Sequence, residues 1–217
     1  MSDSSKKPKL TTEQIAAEIR GEILNGRLKS GKPLRQDDIA AKFGVSKIPV
    51  REALFQLKAE GLVTFVPNKG AAVSVLSPKE AEEIYTMRIA LETAALERAI
   101  PNLTIRNLTE AEELLTAIDQ EEKIEQWGEL NWLFHATLYA PADMPRMIEW
   151  IQALHINVAR YLIVYLEGMN YQKVSQREHR ELLDACRHGD ILRAKAVLVE
   201  HLESASRQLV KFLEETQ

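Results

Sequence analysis

The sequence predicts a mainly α-helical chain: an N-terminal winged helix-turn-helix followed by a six-helix antiparallel bundle. Three observations predict it. Residues 33–75 place a short apolar-striped helix, a Gly44-Val45 turn, a second helix and two short alternating strands in the order of a winged helix-turn-helix. From residue 78 onward apolar positions recur at three- and four-residue spacing, with no competing strand pattern. Between the two, Ser77-Pro78-Lys79-Glu80 is a helix start of its own, with Ser at the N-cap, Pro at N1 and Glu at N3. The expected division is an arm over residues 1–10, a first domain over 11–76 and a second over 77–217.

Composition sets the outer bounds. A chain of 217 residues, 45 % of them apolar, can bury a full core in one or two domains. No apolar run reaches the length of a membrane span, and MSDSSKKPKL has no apolar signal core. Cys186 is the single cysteine, so no internal disulfide can form; near a helix end, it reads as a small buried hydrophobe. The expectation is a cytoplasmic protein with no membrane partner. The net charge of −4 conceals an asymmetry: residues 1–76 carry +5 and residues 77–217 carry −9. A basic module joined to an acidic one suits a nucleic-acid-binding part on a part that does not bind it.

The N-terminal elements follow from local signals. Thr11 or Thr12 can cap a helix to about Leu24, with Ile15, Ile19, Ile23 and Leu24 on one face. Asn25-Gly26 ends it, and Ser30 to Pro33 reads as a turn. The second helix spans about Gln36–Phe43 and leaves through Gly44. Ser46 is the expected N-cap of the third, its hydroxyl accepting from a first-turn amide, with Pro49 tolerated at about N3. That helix start points bare amides and Lys47 outward, toward phosphate or base edges. Arg51 lies one turn beyond Lys47 on the same face and can form two parallel hydrogen bonds to guanine. A salt bridge from Arg51 to Glu52 or Asp38 is the purely structural alternative. Lys69 and Gly70 stand at the wing tip, where a lysine reaches a minor groove or phosphate and glycine allows close approach.

The run PL…DDIAAKFGVSKIPVREALFQLKAEGLV…PNKGAAV closely resembles the DNA-binding domain of the GntR family of bacterial transcription regulators. The resemblance covers about residues 11–75. It implies a homodimer on a short palindromic operator in double-stranded DNA. Many members place a DNA-contacting arginine early in the second helix. Asp37 stands there in this chain, with Arg35 two residues earlier. The resemblance therefore carries a DNA role to Lys47 and Arg51 and, less directly, to Arg35.

In the second part, six helices are expected over about 78–99, 104–121, 124–139, 145–167, 171–187 and 190–213. Breaks are expected at Pro101-Asn102, near Glu122, at Pro141 to Pro145, at Gly168 and at Gly189-Asp190. Asn131 and His135 are i and i+4 on one helix; His179 and His201 lie in the middle of two others. Three imidazoles and an oxygen donor from three helices can form a divalent metal site in a bundle. A helical histidine is equally a surface or core residue, and His155 and His188, with no partner pattern, read that way. Arg88 can hold a carboxylate through its guanidinium fork, or form an intrahelical pair with Glu92 that contributes only tenths of a kcal/mol. Tyr85, Tyr139, Arg160 and Tyr161 are lesser lining candidates, better read as packing residues.

The order Arg88-x-x-x-Glu92, then Asn131 to His135, then Glu178-His179 and a final mid-helix His201 resembles the FCD effector-binding domain of the FadR branch, most closely its VanR-like subgroup. The match spans about residues 80–213. It implies a divalent metal held by Asn131, His135, His179 and His201, and a small organic acid anchored on Arg88. The metal expected first is zinc, since imidazole suits it, with nickel, manganese or iron as alternatives. Asn131 departs from the commoner Asp, and a neutral oxygen compensates the ion's charge less. The resemblance thus implies a DNA-binding repressor controlled by a small carboxylate. A metal-responsive regulator and a regulator with a structural metal site use the same four residues. An enzyme is disfavoured: no acid/base pair stands at recognisable spacing to the histidines apart from Glu178 and Glu200, and catalysis leaves residues 33–75 unexplained.

Overall fold

The computed structural model describes residues 10–121, 123–166 and 171–216. The expected arm, apart from Leu10, lies outside the described residues, as do Glu122, the break at Gly168 and the side chain of Arg160. The chain divides into two compact units, Met1–Val75 and Leu76–Gln217.

In the first unit, α1 (Thr12–Leu24) starts with a capping box: Thr11 accepts from the amide of Gln14, whose side chain accepts in return. Its buried stripe, Ile15, Ala16, Ile19 and Ile23, packs on α3 (Lys47–Ala59) through Val50, Ala53, Leu54 and Leu57. Arg20 fastens the two helices with a two-pronged pair to Glu60, 2.7 and 2.6 Å. Between them, α2 (Gln36–Phe43) ends at Gly44, whose φ of 65° is the left-handed conformation the turn requires.

The sheet corrects the sequence reading. Two strands were expected, and three form: β1 (Pro33–Leu34), β2 (Val63–Val66) and β3 (Gly70–Val73), in the order β1-β3-β2, all antiparallel. The expected turn forms at Ser30-Gly31, but its last residue, Pro33, enters β1, with Gly31 donating to Val73 and Val73 to Lys32. A two-residue strand is too short to show alternation, so only its pairing reveals it.

The capping of α3 is a second correction. Ser46 occupies the N-cap, yet its hydroxyl accepts no capping bond. The cause is Pro49, which falls at N3 and has no N–H to donate.

In the second unit, the six helices among the described residues are α4 (Pro78–Ala99), α5 (Ile105–Gln120), α6 (Ile124–Tyr139), α7 (Pro145–Leu166), α8 (Tyr171–Arg187) and α9 (Ile191–Thr216). Ser77 and Glu80 form the capping box expected at the start of α4. Pro101 and Pro141 sit in 3-10 turns that close α4 and α6. The last helix runs to Thr216 rather than ending near 213. Helix α4 packs on α6, α7 and α9, while α8 bridges α5 and α9. One continuous core fills the bundle, with Leu96, Phe134, Leu138, Ile151, Leu198 and Leu209 fully buried. Cys186 belongs to it; burial pushes its thiol up to about 12, so it stays protonated and unreactive. No helix of the described residues is long and apolar enough to cross a membrane.

Candidate functional site

Each unit presents its own constellation. On the first, α3 exposes its N-terminal turn. Lys47 and Arg51 are both exposed on it. Arg51 forms no ion pair with Glu52 or Asp38 among the described residues; its guanidinium lies over the Phe55 ring at 5.6 Å, and Glu52 accepts instead from Thr12. Phe55 in turn stacks on Phe65 of β2, ring centroids 4.8 Å apart, so the arginine rests on an aromatic platform joining α3 to the wing.

Lys47 is paired with Asp37, Nζ to Oδ1, at 2.6 Å. In the sequence Asp37 stands out only as a departure from the family pattern. The fold brings it against a base-reading candidate. Ile48 was missed altogether. It is 70 % exposed beside Lys47, an apolar side chain suited to a thymine methyl group. Its signal was its place at N2 of a helix whose apolar core residues begin only at Val50. At the wing, Asn68 and Gly70 both take positive φ, 62° and 83°, and hold the exposed Lys69 at the hairpin tip. Arg35 is exposed at the N-cap position of α2.

In the helical unit, His135 of α6, His179 of α8 and His201 of α9 converge. Their ring centroids are 4.7–5.4 Å apart, and one ligating nitrogen from each lies within 4.8 Å of the others. All three are buried. Burial, and then the neighbouring imidazoles, hold His135 and His179 well below the ordinary histidine value, so both are neutral at pH 7.

Their hydrogen bonds decide which nitrogen is available. The Tyr139 hydroxyl donates to Glu92 Oε2 at 2.7 Å, so toward His135 Nδ1, 3.2 Å away, its oxygen must accept. The Gln176 amide nitrogen donates to the Leu115 carbonyl and to Asp119; its oxygen, 3.0 Å from His179 Nδ1, accepts. His201 Nδ1 lies 2.8 Å from Glu178 Oε2, an acceptor. Three independent contacts therefore place the proton on Nδ1 and leave the Nε2 lone pairs to one another. His179 Nε2 meets only the Ser175 hydroxyl, at 3.4 Å, and His135 Nε2 has no partner. Asn131 Oδ1, buried beside them on α6, has none either. Three imidazole lone pairs and an orphaned amide oxygen, with each ring's far nitrogen secured, fit a divalent cation, zinc foremost.

The intrahelical Arg88–Glu92 pair, the alternative to a carboxylate anchor, does form, but in the core. Both are buried, at 4 % and 0 % exposure, with Nε to Oε1 at 2.7 Å. Burial works against the Arg88 charge, but Glu92 and the phenols of Tyr85 and Tyr139 outweigh it and raise its pKa. Tyr139 thus links Glu92 to His135 rather than merely packing. Tyr161 has a structural task, accepting from the Leu76 amide at 2.7 Å. His188 is exposed and paired with Asp184. Of the surface and packing roles expected for His155, the structure shows packing. It is 4 % exposed, its ring 5.3 Å from Trp132, and it lines a small cavity with Arg88, Asn131 and His201. No motif or spacing pointed to it, because it stands alone on α7.

A winged helix that exposes its recognition helix, in one chain with a separate helical unit that has a buried polar centre, defines a DNA-binding regulator. The chain belongs to the GntR family of bacterial transcription regulators, in the branch whose second part is an FCD domain. Residues 11–73 match the family described as "Bacterial regulatory proteins, gntR family", and residues 83–204 match "FCD domain". The HTH-type transcriptional regulator McbR of Escherichia coli (strain K12) is 31 % identical over 173 residues, 78 % of this chain and 77 % of that one. The HTH-type transcriptional repressor RspR of the same strain is 25 % identical over 207 residues, 94 % of this chain and 90 % of its own. The solved structure of E. coli McbR/YncC superposes with a TM-score of 0.75 at 26 % identity, covering 92 % of this chain and 97 % of that one. These relatives are transcriptional regulators, not enzymes.

Proposed function

We propose that this regulator is a cytoplasmic repressor that binds a palindromic operator as a homodimer, and that its FCD domain takes a small organic acid with the help of a divalent metal. The observation that carries the second half is the set of three histidines with Nδ1 secured and Nε2 turned inward. Asn131, His135, His179 and His201 would hold the ion, which would supply a positive charge and an open coordination position for an acid oxygen. Arg88 would take the carboxylate, its orientation set by Glu92.

On the DNA side, Lys47 and Arg51 read base edges. Ser46, free of any capping duty, offers its hydroxyl to a phosphate. Arg35, Lys69 and Gly70 contact the backbone or minor groove. Repression is supported by the likeness to RspR, a transcriptional repressor. Acid binding shifts operator affinity only as far as the acid prefers one state of the dimer.

The test is metal content of the purified protein by plasma mass spectrometry, on wild type and His135→Ala. One metal per chain, lost in the variant, is the expected result. No metal even after zinc or nickel is supplied would reject the site.

A further inference from the structure

The donor set of the proposed metal site offers no negative charge. Imidazole binds a metal in its neutral form, and the fourth donor, Asn131 Oδ1, is an amide oxygen. A divalent ion held by Asn131, His135, His179 and His201 would bring two positive charges into a buried space, and a buried charge needs an opposite one near it.

Most ionic groups around the cluster are already matched. Arg88 Nε holds Glu92 Oε1 at 2.7 Å, Arg180 holds Asp119, and Glu200, next to His201 in the chain, takes Arg207 at 2.8 Å. Glu178 is different. Among the described residues no lysine or arginine lies within ion-pair distance of it; its partner is His201 Nδ1, 2.8 Å from Oε2. The Glu178 side chain is only 13 % exposed and that of His201 only 7 %. The carboxylate is not one of the converging ligand groups, which are the three histidines alone. It stands behind one of them.

We propose that Glu178 is a positioning residue of the metal site and supplies, through His201, the negative charge that Asn131 does not. The inference rests on the proposed metal reading. The other two imidazoles are held by uncharged acceptors: the Gln176 amide oxygen 3.0 Å from His179 Nδ1, and the Tyr139 hydroxyl 3.2 Å from His135 Nδ1. Such acceptors orient a ring without adding charge. A carboxylate at Nδ1 does both, and makes the opposite nitrogen a stronger donor. Of the three histidines, His201 has that arrangement.

The experiment is zinc affinity of the full-length protein, by competition against a zinc-binding dye, over a cycle of four proteins: wild type, Glu178→Gln, Asn131→Asp and the double variant. Glutamine keeps an acceptor for His201 and removes only the charge. Glu178→Gln is expected to weaken zinc about tenfold, within the range for outer partners of metal-bound histidines. Asn131→Asp moves a carboxylate onto the ion itself. It should strengthen zinc binding severalfold more in the Glu178→Gln background than in wild type, where the new charge would stand beside Glu178. A residue that merely shaped the pocket would give additive changes. Circular dichroism establishes that each protein folds, and Glu178→Ala replaces Glu178→Gln in the cycle if the latter does not.

Equal zinc affinity in wild type and Glu178→Gln overturns the inference and leaves the metal site standing. A loss in Glu178→Gln with an additive cycle overturns it too, since charge would not be what Glu178 supplies. Wild type that takes no zinc rejects the metal reading and this inference with it.

Discussion

The Tyr139 hydroxyl donates to Glu92 Oε2 at 2.7 Å while standing 3.2 Å from His135 Nδ1. Through it, the buried Arg88–Glu92 pair on α4 is continuous with the histidine cluster. Tyr139→Phe removes the link without changing the shape of the core. Zinc affinity is expected to fall about 10–100-fold, as for other outer partners of metal-bound histidines, with helicity unchanged. Competition against a zinc-binding dye measures it; equal affinity removes Tyr139 from the site.

Arg88→Ala is expected to do more than silence an effector response. Glu92 would remain buried without its partner, and breaking a buried pair costs about 3–5 kcal/mol. Denaturant unfolding should show that loss. The double variant Arg88→Met with Glu92→Gln keeps an acceptor for Tyr139 and should recover most of it. If the double variant is as unstable as the single one, unpaired charge is not the cause.

His155 is buried and neutral, held down at about 3 by burial and then by the Arg88 charge. Unfolded, it titrates near 6.5. Its folded pKa lies below its unfolded one, so the unfolded chain binds the extra proton as pH falls. Stability is full above about pH 6.5 and declines from there toward pH 3, by up to a few kcal/mol. His155→Leu should flatten that limb of the melting-temperature profile. Parallel profiles for the two proteins would rule the residue out as its source.

Among the described residues Arg51 has no carboxylate partner, and it rests on Phe55. Arg51→Ala is expected to weaken operator binding by about 1–3 kcal/mol, the contribution of a good bidentate base contact, with the fold unchanged. Gel-shift titration against the operator and a scrambled duplex reads it. Undiminished discrimination between the two would move base recognition to other residues.

Asp37 and Lys47 are both well exposed, so their pair contributes little to stability. Asp37→Asn should leave the melting temperature nearly unchanged. It frees Lys47 for a phosphate, tightening binding to non-specific duplex and steepening its salt dependence by about one counterion. An unchanged salt slope would show that Lys47 already leaves Asp37 when DNA is bound.

The sequence by itself determined what depends on near neighbours. Thr11 with Gln14 and Ser77 with Glu80 start their helices because three-residue spacing suffices for a capping box. Asn131 and His135 share a face because they are one turn apart. The cap expected at Ser46 failed for an equally local reason, since Pro49 three residues on has no N–H to donate.

What only the tertiary structure decided is which distant residues meet and how dry their meeting place is. The register of α6, α8 and α9 brings one ring nitrogen from each of three histidines within 4.8 Å of the others, and partners from α6 and α8 hold their Nδ1 atoms. The same packing buries the i,i+4 pair of Arg88 and Glu92, and puts a solitary His155 beside Arg88, far away in the chain. Helix periodicity is a short-range property of the backbone. Burial, and the desolvation that sets pKa values and leaves polar atoms unpaired, is a property of the assembled core.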